Sequence, residues 1–497
     1  MVSRPRRITD VPRPSATRPS AVPFALAIAL LLTACSGGVQ GKPGASGVRD
    51  PYFPKLGNGG YDVTHYGLTL AYDPGTEHLT GTAEITAKAT QDLSAFNLDL
   101  KGLDVDEVTV TSEGDGEGEG EGGGKAGAAN ARWNRAGHEL TVRPHDDLDK
   151  GDTFRTTVRY SGTPETLTDP DGSEEGWLRT ADGALALGEP TGSMTWFPGN
   201  HHPSDKASYD ITVTVPEGLR AVSNGELKDE TTLNGRTTAT WHTAEPMASY
   251  LATVAIGRYG ITRSTTKKGL PVIVAVDPTQ AEASKEVLAS IPEVMEWEEA
   301  NFGPYPFSST GAIVDREDDA GYALETQNRP VFPGAPDTGF LVHELAHQWY
   351  GDSVTPKTWR DMWLNEGFAT YAEWLWEEDH DGDTAEETFN SLYKGDYFDD
   401  PELDEAVWAF PPAKPSSAAH LSDSPVYERG AMVLHKIRQT VGDDTFYDII
   451  QGWAAAHRHG NADTSDFTAY VEKSAPDADF GPVWEDWLYG EGKPAKP

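Results

Sequence analysis

The chain has 497 residues, a formal net charge of −39 and one cysteine. Such an acidic chain is repelled by nucleic acid and by anionic membrane surfaces, so the sequence argues against either as a binding partner. A single cysteine excludes an intramolecular disulfide and a metal site built from several thiolates. The length is sufficient for two or three domains.

The first 34 residues have the pattern of a signal peptide. Five arginines lie within the first eighteen residues, and an apolar stretch follows from Val22 to Leu32, too short for a membrane-spanning helix. The run Leu32-Thr33-Ala34-Cys35 resembles the cleavage box of a bacterial lipoprotein, in which Cys35 would carry the lipid. We therefore expect an exported protein, lipid-anchored on the outer face of a bacterial cell membrane. Plain secretion is the alternative.

The next segments predict a tether and a β domain. Residues 35–56 are rich in Gly, Ser and Pro, which is typical of a flexible tether. From residue 57 to 257, short runs of Thr, Val and Leu alternate with turn residues and predict an antiparallel β domain. Within it, residues 113–129 are dominated by Gly and Glu and cannot bury an apolar face. We expect a disordered insertion there.

After a few strands, helical periodicity dominates from residue 258 to 497, so the chain as a whole is predicted to be α+β and multidomain. Gly351 is a candidate C-terminal cap for the helix predicted to end at Tyr350. The clearest predicted helices are Lys285–Asn301, Gly339–Tyr350, Leu364–Glu378, Val426–Val441 and Thr445–His457.

The segment His343-Glu344-Leu345-Ala346-His347 indicates a metal site. Residues four apart share a helix face, so His343 and His347 can bind one ion. Glu344 lies beside the ion, where a general base accepts a proton from water. Glu366, separated from His347 by eighteen residues, is a plausible third ligand. Two histidines, one glutamate and an open fourth position are typical of a catalytic site with one Zn²⁺ per chain.

Together with these residues, several segments resemble the zinc aminopeptidase N family of gluzincin metallopeptidases, which includes the leukotriene hydrolases. The resemblance extends from about Tyr61 to Leu488. It implies a saddle-like N-terminal β domain, a thermolysin-like catalytic domain and, because the family's C-terminal helical domain has no counterpart, a short form with an open cleft. The segments that carry it are Phe302–Pro306, Asn365–Ala369 and Val426–Ala431.

The resemblance also implies roles for residues outside the metal motif. Tyr427 would stabilise the oxyanion that develops during hydrolysis. The stretch Tyr322–Thr326 stands where family members have Gly-Ala-Met-Glu-Asn, and its glutamate would hold the substrate's amino terminus. The substrate-binding residues implied are Glu189, Ala323, Leu324 and Glu325.

The expected function is a zinc-dependent aminopeptidase that acts on peptides with a free N-terminus outside the cell. One alternative is a hydrolase of another bond, either an open-cleft endopeptidase or an epoxide hydrolase, against which the two amine-binding glutamates argue. The other is a non-catalytic peptide-binding lipoprotein, against which the intact catalytic residues argue. The sequence leaves the preferred side chain and the oligomeric state open.

Overall fold

The computed structural model describes residues 41–113 and 129–495. The predicted signal peptide, Cys35 and most of the predicted insertion at 113–129 lie outside the described residues, so these expectations stay predictions.

Strands dominate the first part of the described chain. In β2, buried and exposed side chains alternate along almost the whole strand, as expected where one face covers a core. The strands, in chain order, are β1 (Lys42–Pro43), β2 (Tyr61–Asp73), β3 (His78–Ala89), β4 (Leu93–Asp99), β5 (Asp104–Glu113), β6 (Ala129–Asn130), β7 (Arg132–Ala136), β8 (Glu139–Arg143), β9 (Thr153–Gly162), β10 (Thr166–Thr168), β11 (Glu174–Arg179), β12 (Ala184–Leu187), β13 (Lys206–Pro216), β14 (Arg220–Ser223), β15 (Glu226–Leu233), β16 (Arg236–Ala248), β17 (Val254–Gly257), β18 (Gly260–Thr265), β19 (Pro271–Val276), β20 (Thr310–Asp315), β21 (Val331–Pro333), β22 (Thr355–Pro356) and β23 (Asn461–Ala462).

The first seventeen strands form three sheets. The largest has the order β15-β16-β13-β2-β3-β9-β5-β6, and the others have the orders β1-β4-β8-β7 and β10-β11-β12-β17-β14. Most neighbouring strands are antiparallel; β13 pairs with β2, and β1 with β4, in the parallel direction. Trp177, Trp196 and Trp241 are at most 1% exposed and lie in the core of this region. The predicted, mainly antiparallel β domain is confirmed.

A four-stranded sheet of order β18-β19-β20-β21 leads into the helical part of the chain. No helix in the described ranges is long and apolar enough to cross a bilayer. A mainly helical catalytic region thus follows the β domain, which confirms the predicted fold class. The helices are α1 (Lys285–Ala289), α2 (Ile291–Phe302), α3 (Thr338–Ala346), α4 (Trp363–Asp379), α5 (Ala385–Lys394), α6 (Pro401–Ala406), α7 (Gly430–Val441), α8 (Asp443–Ala456) and α9 (Thr464–Ser474).

Three predicted helices differ in detail from the structure. The one predicted at 426–441 begins with the π-helical turn Pro425–Arg429, and α7 continues from Gly430. The helix predicted at 285–301 is divided at Ser290, because Pro292 is tolerated only in a first helical turn and so begins a new helix. The helix predicted at 339–350, with Gly351 as its cap, ends at Ala346. Gly351 is not its cap: with a φ of 135°, it allows a close approach of Asn365, whose Oδ1 would lie 2.0 Å from a Cβ at this position.

The predicted tether is packed from residue 41 onward. Strand β1 pairs with β4, and Asp50, which is 2% exposed, accepts hydrogen bonds from the backbone N–H groups of Tyr52, Phe53 and Trp359. Asp50 Oδ2 also lies 3.3 Å from Nε2 of His202. This segment is therefore ordered despite its Gly- and Pro-rich composition, because the buried carboxylate of Asp50 binds two distant parts of the chain.

Candidate active site

Helices α3 and α4 bring the metal-binding residues together. Asp337 caps α3 by accepting a hydrogen bond from the backbone N–H of Phe340 at 2.8 Å. Helix α4 packs closely on the start of α7 because Gly367 has no side chain; a Cβ there would lie 2.9 Å from the backbone of Gly430. This close contact places Tyr427, which lies in the π-helical turn Pro425–Arg429 before α7, beside the metal-binding face of α3.

The three predicted metal ligands converge. Oε2 of Glu366 lies 3.3 Å from Nε2 of His343 and 3.4 Å from Nε2 of His347, and all three residues are buried. Donor atoms about 2.1 Å from an ion at tetrahedral angles are separated by about 3.4 Å. The spacing and the His₂Glu donor set therefore fit one Zn²⁺ with an open coordination position.

Both histidines are oriented through their second ring nitrogen. Nδ1 of His343 lies 2.6 Å from Oε1 of Glu373, and Nδ1 of His347 lies 3.2 Å from the carbonyl oxygen of Tyr350. A proton on Nδ1 leaves Nε2 free to bind the metal. Sequence reasoning missed Glu373, although it lies seven residues after Glu366, two helical turns along the same face of α4.

Glu344 has the environment of a general base. Its side chain is buried, and its Oε2 has no hydrogen-bond partner among the described residues. Burial raises the pKa of Glu344 to about 8, with His343 and His347 opposing the shift. A carboxylate that holds its proton this readily is well suited to accept one from water.

Two further glutamates lie beside the metal ligands. Carboxylate oxygens of Glu189, Glu325 and Glu366 lie within 4.8 Å of one another. Asn365 donates its Nδ2 proton to Oε1 of Glu325 at 2.9 Å. Burial raises the pKa of Glu325 and, together with the charge of Glu325, raises that of Glu189 well above its usual range. Both carboxyls therefore need a cationic partner to remain charged.

Tyr427 lies over the first histidine. Its ring is nearly parallel to that of His343, at 14°, with 6.2 Å between the ring centroids. Burial raises the pKa of Tyr427 well above 10, so its hydroxyl stays protonated and can donate a hydrogen bond.

These residues line a cavity of about 380 Å³. Ala323 lines it as predicted, but Leu324 does not: Leu324 is 1% exposed, and its backbone pairs with Val331. Successive residues of an extended segment point to opposite sides, so Ala323 and Glu325 face the cavity while Leu324 faces the core. The described lining residues include no Lys or Arg, and the acidic ones are Asp169, Asp171, Glu189, Glu325, Glu344, Glu366 and Glu373.

Family models match both parts of the chain. Residues 62–251 match the peptidase M1 N-terminal domain, and residues 337–487 match the peptidase family M1 domain. The chain belongs to peptidase family M1. This confirms the resemblance to the aminopeptidase N family, and the family's zinc agrees with the donor set of His343, His347 and Glu366.

Curated relatives of this M1 chain are named aminopeptidases. Glutamyl aminopeptidase of Rattus norvegicus is 27% identical over 393 residues, which cover 71% of this chain and 40% of that protein. Probable aminopeptidase 2 of Sulfurisphaera tokodaii is 28% identical over 317 residues, covering 59% and 39% respectively. The chain thus spans at most about two fifths of the length of these two relatives.

Solved structures match over nearly their whole length. The M1 zinc metallopeptidase of Deinococcus radiodurans has a TM-score of 0.80 and 28% identity, and the match covers 91% of this chain and 98% of that one. A mutant of the same protein, with a TM-score of 0.79, is bound to Tyr-Ser-Ala substrate.

Proposed function

We propose that this M1 chain is a zinc-dependent aminopeptidase that removes the N-terminal residue from peptides outside the cell. The observation that carries the proposal is the convergence of Glu189 and Glu325 beside the metal ligand Glu366. A half-buried carboxyl, Glu189, and a buried one, Glu325, lie next to the scissile position and need a positive charge, which the α-ammonium of a free amino terminus supplies. That contact fixes the substrate so that only the first peptide bond reaches Glu344.

In this proposal each residue has one task. His343, His347 and Glu366 would hold Zn²⁺, which would supply a Lewis acid for the peptide carbonyl and for the attacking water. Glu344 accepts a proton from the attacking water and donates it to the leaving amine, which typically contributes about 10²- to 10⁴-fold to the rate.

Tyr427 donates its hydroxyl hydrogen bond to the oxyanion that develops on the former carbonyl. A donor that acts in this way typically contributes about 10²- to 10³-fold, because its hydrogen bond strengthens in the transition state. The position of its ring beside His343 supports this role.

The endopeptidase and epoxide-hydrolase alternatives leave this anionic cluster without a partner. An internal peptide segment or an epoxide brings no ammonium to Glu189 and Glu325, so their charges would remain uncompensated in a buried site. The names of the relatives and the tripeptide bound to a structural neighbour also support cleavage of short peptides with a free N-terminus.

The test is hydrolysis of aminoacyl chromogenic amides, each in a free and an N-acetylated form, by protein that begins at Ser36. We expect release from the free amines only, and loss of activity after metal chelation and in Glu344→Gln. Cleavage of acetylated substrates at a comparable rate would instead establish an endopeptidase. Zinc binding without any hydrolysis would favour the non-catalytic alternative.

The proposed location rests on the first 35 residues. Export and lipidation of Cys35 would place the enzyme on the outer face of the membrane, with access to extracellular peptides. Labelled palmitate should enter the native protein but not a Cys35→Ser variant. Label in neither protein would favour plain secretion.

A further inference from the structure

A second cluster of metal-ligating side chains lies in the β domain, away from the catalytic cavity. Asp99 is the last residue of β4 and Glu139 the first of β8, and the two stand directly opposite each other in the antiparallel pair. His138 precedes Glu139. One ligand atom from each of the three side chains lies within 4.8 Å of the other two.

Without a cation between them, the carboxyls of Asp99 and Glu139 form an unfavourable pair. Acidic side chains directly opposite on one face of a sheet repel each other, and burial increases the repulsion. The side chain of Asp99 is fully buried and that of Glu139 is 17% exposed. Burial, followed by the charge of Glu139, raises the pKa of Asp99 to about 8, and burial raises that of Glu139 to about 7.

The side-chain oxygens of this pair differ in their partners. Oδ2 of Asp99 accepts hydrogen bonds from the backbone N–H groups of Gly57 and His201 and from Nδ2 of Asn58. In the described part of the chain, Oδ1 of Asp99 and both oxygens of Glu139 have no hydrogen-bond partner. Three N–H donors on one oxygen favour the ionised form of Asp99 and partly oppose the effect of burial, while the other oxygen stays available.

No basic side chain in the described ranges neutralises this charge. Arg135 donates instead to the carbonyl oxygens of Leu100 and Leu103, and Arg143 donates to Asn134. The nearest ionisable nitrogen is Nε2 of His138, 3.9 Å from Oδ1 of Asp99 and 3.9 Å from Oε1 of Glu139. These distances are too long for hydrogen bonds, and small rotations of the three side chains would bring the atoms to the spacing of about 3.4 Å that one shared ion requires.

We propose that Asp99, His138 and Glu139 bind a second divalent cation, which joins the opposed ends of β4 and β8. The imidazole nitrogen selects a transition-type ion such as Zn²⁺ or Mn²⁺ over Ca²⁺, whose ligands are oxygens. Binding requires Nε2 of His138 to give up its 3.3 Å contact with the carbonyl oxygen of Lys55. The cation replaces that single weak hydrogen bond with bonds to three side chains.

The test is metal content per chain, since the catalytic centre accounts for one ion. Metal-free protein is equilibrated with ZnSO₄, MnCl₂ or CaCl₂, dialysed and analysed by elemental mass spectrometry together with protein concentration. We expect two Zn²⁺ per chain in the wild type, one in Glu139→Gln and in His138→Gln, and two in the surface control Glu107→Gln. In a His347→Ala background, which removes the catalytic ion, one Zn²⁺ should remain, and Glu139→Gln should remove it.

Two controls separate loss of the ion from loss of the fold. Glu139→Gln should retain the far-ultraviolet circular dichroism of the wild type and its hydrolysis rate, since Glu139 lies outside the cavity. The thermal midpoint of the His347→Ala protein should rise with added Zn²⁺, and this rise should vanish when Glu139→Gln is also present.

Several results would overturn the proposal. One ion per chain in the wild type would mean that Asp99 and Glu139 share a proton rather than a metal. Two ions in both Glu139→Gln and His138→Gln would place the second ion elsewhere. Binding of Ca²⁺ but of neither Zn²⁺ nor Mn²⁺ would contradict the assigned class of cation.

Discussion

Asp50 and Glu344 are both buried carboxyls, but their surroundings assign them opposite roles. Burial raises the pKa of Asp50, yet hydrogen bonds from His202, Phe53, Trp359 and Tyr52 outweigh it and hold that pKa below its usual value. At Glu344 burial prevails, and the pKa rises to about 8. A buried acid whose two oxygens both accept hydrogen bonds therefore stabilises the fold. A buried acid with an oxygen that accepts none is available for a ligand, a metal or a proton.

The largest expected effect is the loss of catalytic rate when Glu344 is replaced. Glu344→Gln keeps the size of the side chain but cannot accept the proton, so kcat should fall by about 10²- to 10⁴-fold. Its thermal midpoint should not fall, because Oε2 of Glu344 has no hydrogen-bond partner to lose in the described chain. Steady-state kinetics and calorimetry on the same zinc-loaded sample check both parts. A large drop in the thermal midpoint would show that Glu344 also stabilises the fold.

Replacing Asp50 should lower stability and leave the catalytic rate unchanged. Asp50→Asn weakens several charge-assisted hydrogen bonds, each worth about 1.5–3 kcal/mol, and should lower the free energy of unfolding by at least about 2 kcal/mol. The kcat of the folded fraction should be unchanged. Denaturant unfolding followed by an activity assay measures both, and Asp92→Asn, an exposed acid of the same region, is the control. An Asp50→Asn protein as stable as the wild type would show that Asp50 does not stabilise the fold.

The stabilisation by Asp50 also has a direction with pH. Because the pKa of Asp50 is lower in the folded state than its usual 3.8, its contribution is complete above about pH 5 and is lost as pH falls through 3.8 and below. The difference in unfolding free energy between wild type and Asp50→Asn should therefore shrink in acid. A difference that stays constant from pH 7 to pH 3 would contradict this account.

An intermediate effect is expected at Glu373, which acts on the metal through its contact with His343. Glu373→Gln weakens the hydrogen bond that orients His343 and should lower zinc affinity by about 10- to 100-fold. Competition with a zinc chelator measures the affinity, and saturating zinc should restore most of the rate. Glu377→Gln, one helical turn further along α4, is the matched control. Unchanged affinity in Glu373→Gln would show that His343 needs no such partner.

A smaller effect is expected on the substrate's first side chain. The acidic lining, including Asp171, repels an N-terminal Glu or Asp and attracts Lys or Arg. We expect kcat/KM to be about ten-fold or more higher for a basic than for an acidic first residue. Matched lysyl, leucyl and glutamyl amides measure the order, and Asp171→Asn should weaken it. Preference for the glutamyl amide would contradict this expectation and would instead match the name of the glutamyl aminopeptidase relatives.

The sequence was most informative where chemistry follows from local spacing. His343, Glu344 and His347 share one turn of helix, so their geometry was predictable from the 3.6-residue period, and Glu366 from the family pattern. The family resemblance places Leu324 in the substrate pocket, whereas in the structure it faces the core, because its direction depends on pairing with Val331. Contacts such as those of Asp50 with His202 and Trp359 join residues far apart in the chain, and no local pattern predicts them.

The central claim is that Glu189 and Glu325 recognise a free amino terminus, and its most direct test is a ratio. We would measure kcat/KM for one tripeptide amide and its N-acetylated form in the wild type, in Glu325→Gln and in Glu189→Gln. The account predicts a strong preference for the free amine in the wild type, and a clear loss of that preference in both variants, because the ammonium loses an anionic partner. A free-to-acetylated ratio near one in the wild type, or a ratio unchanged in both variants, would contradict it.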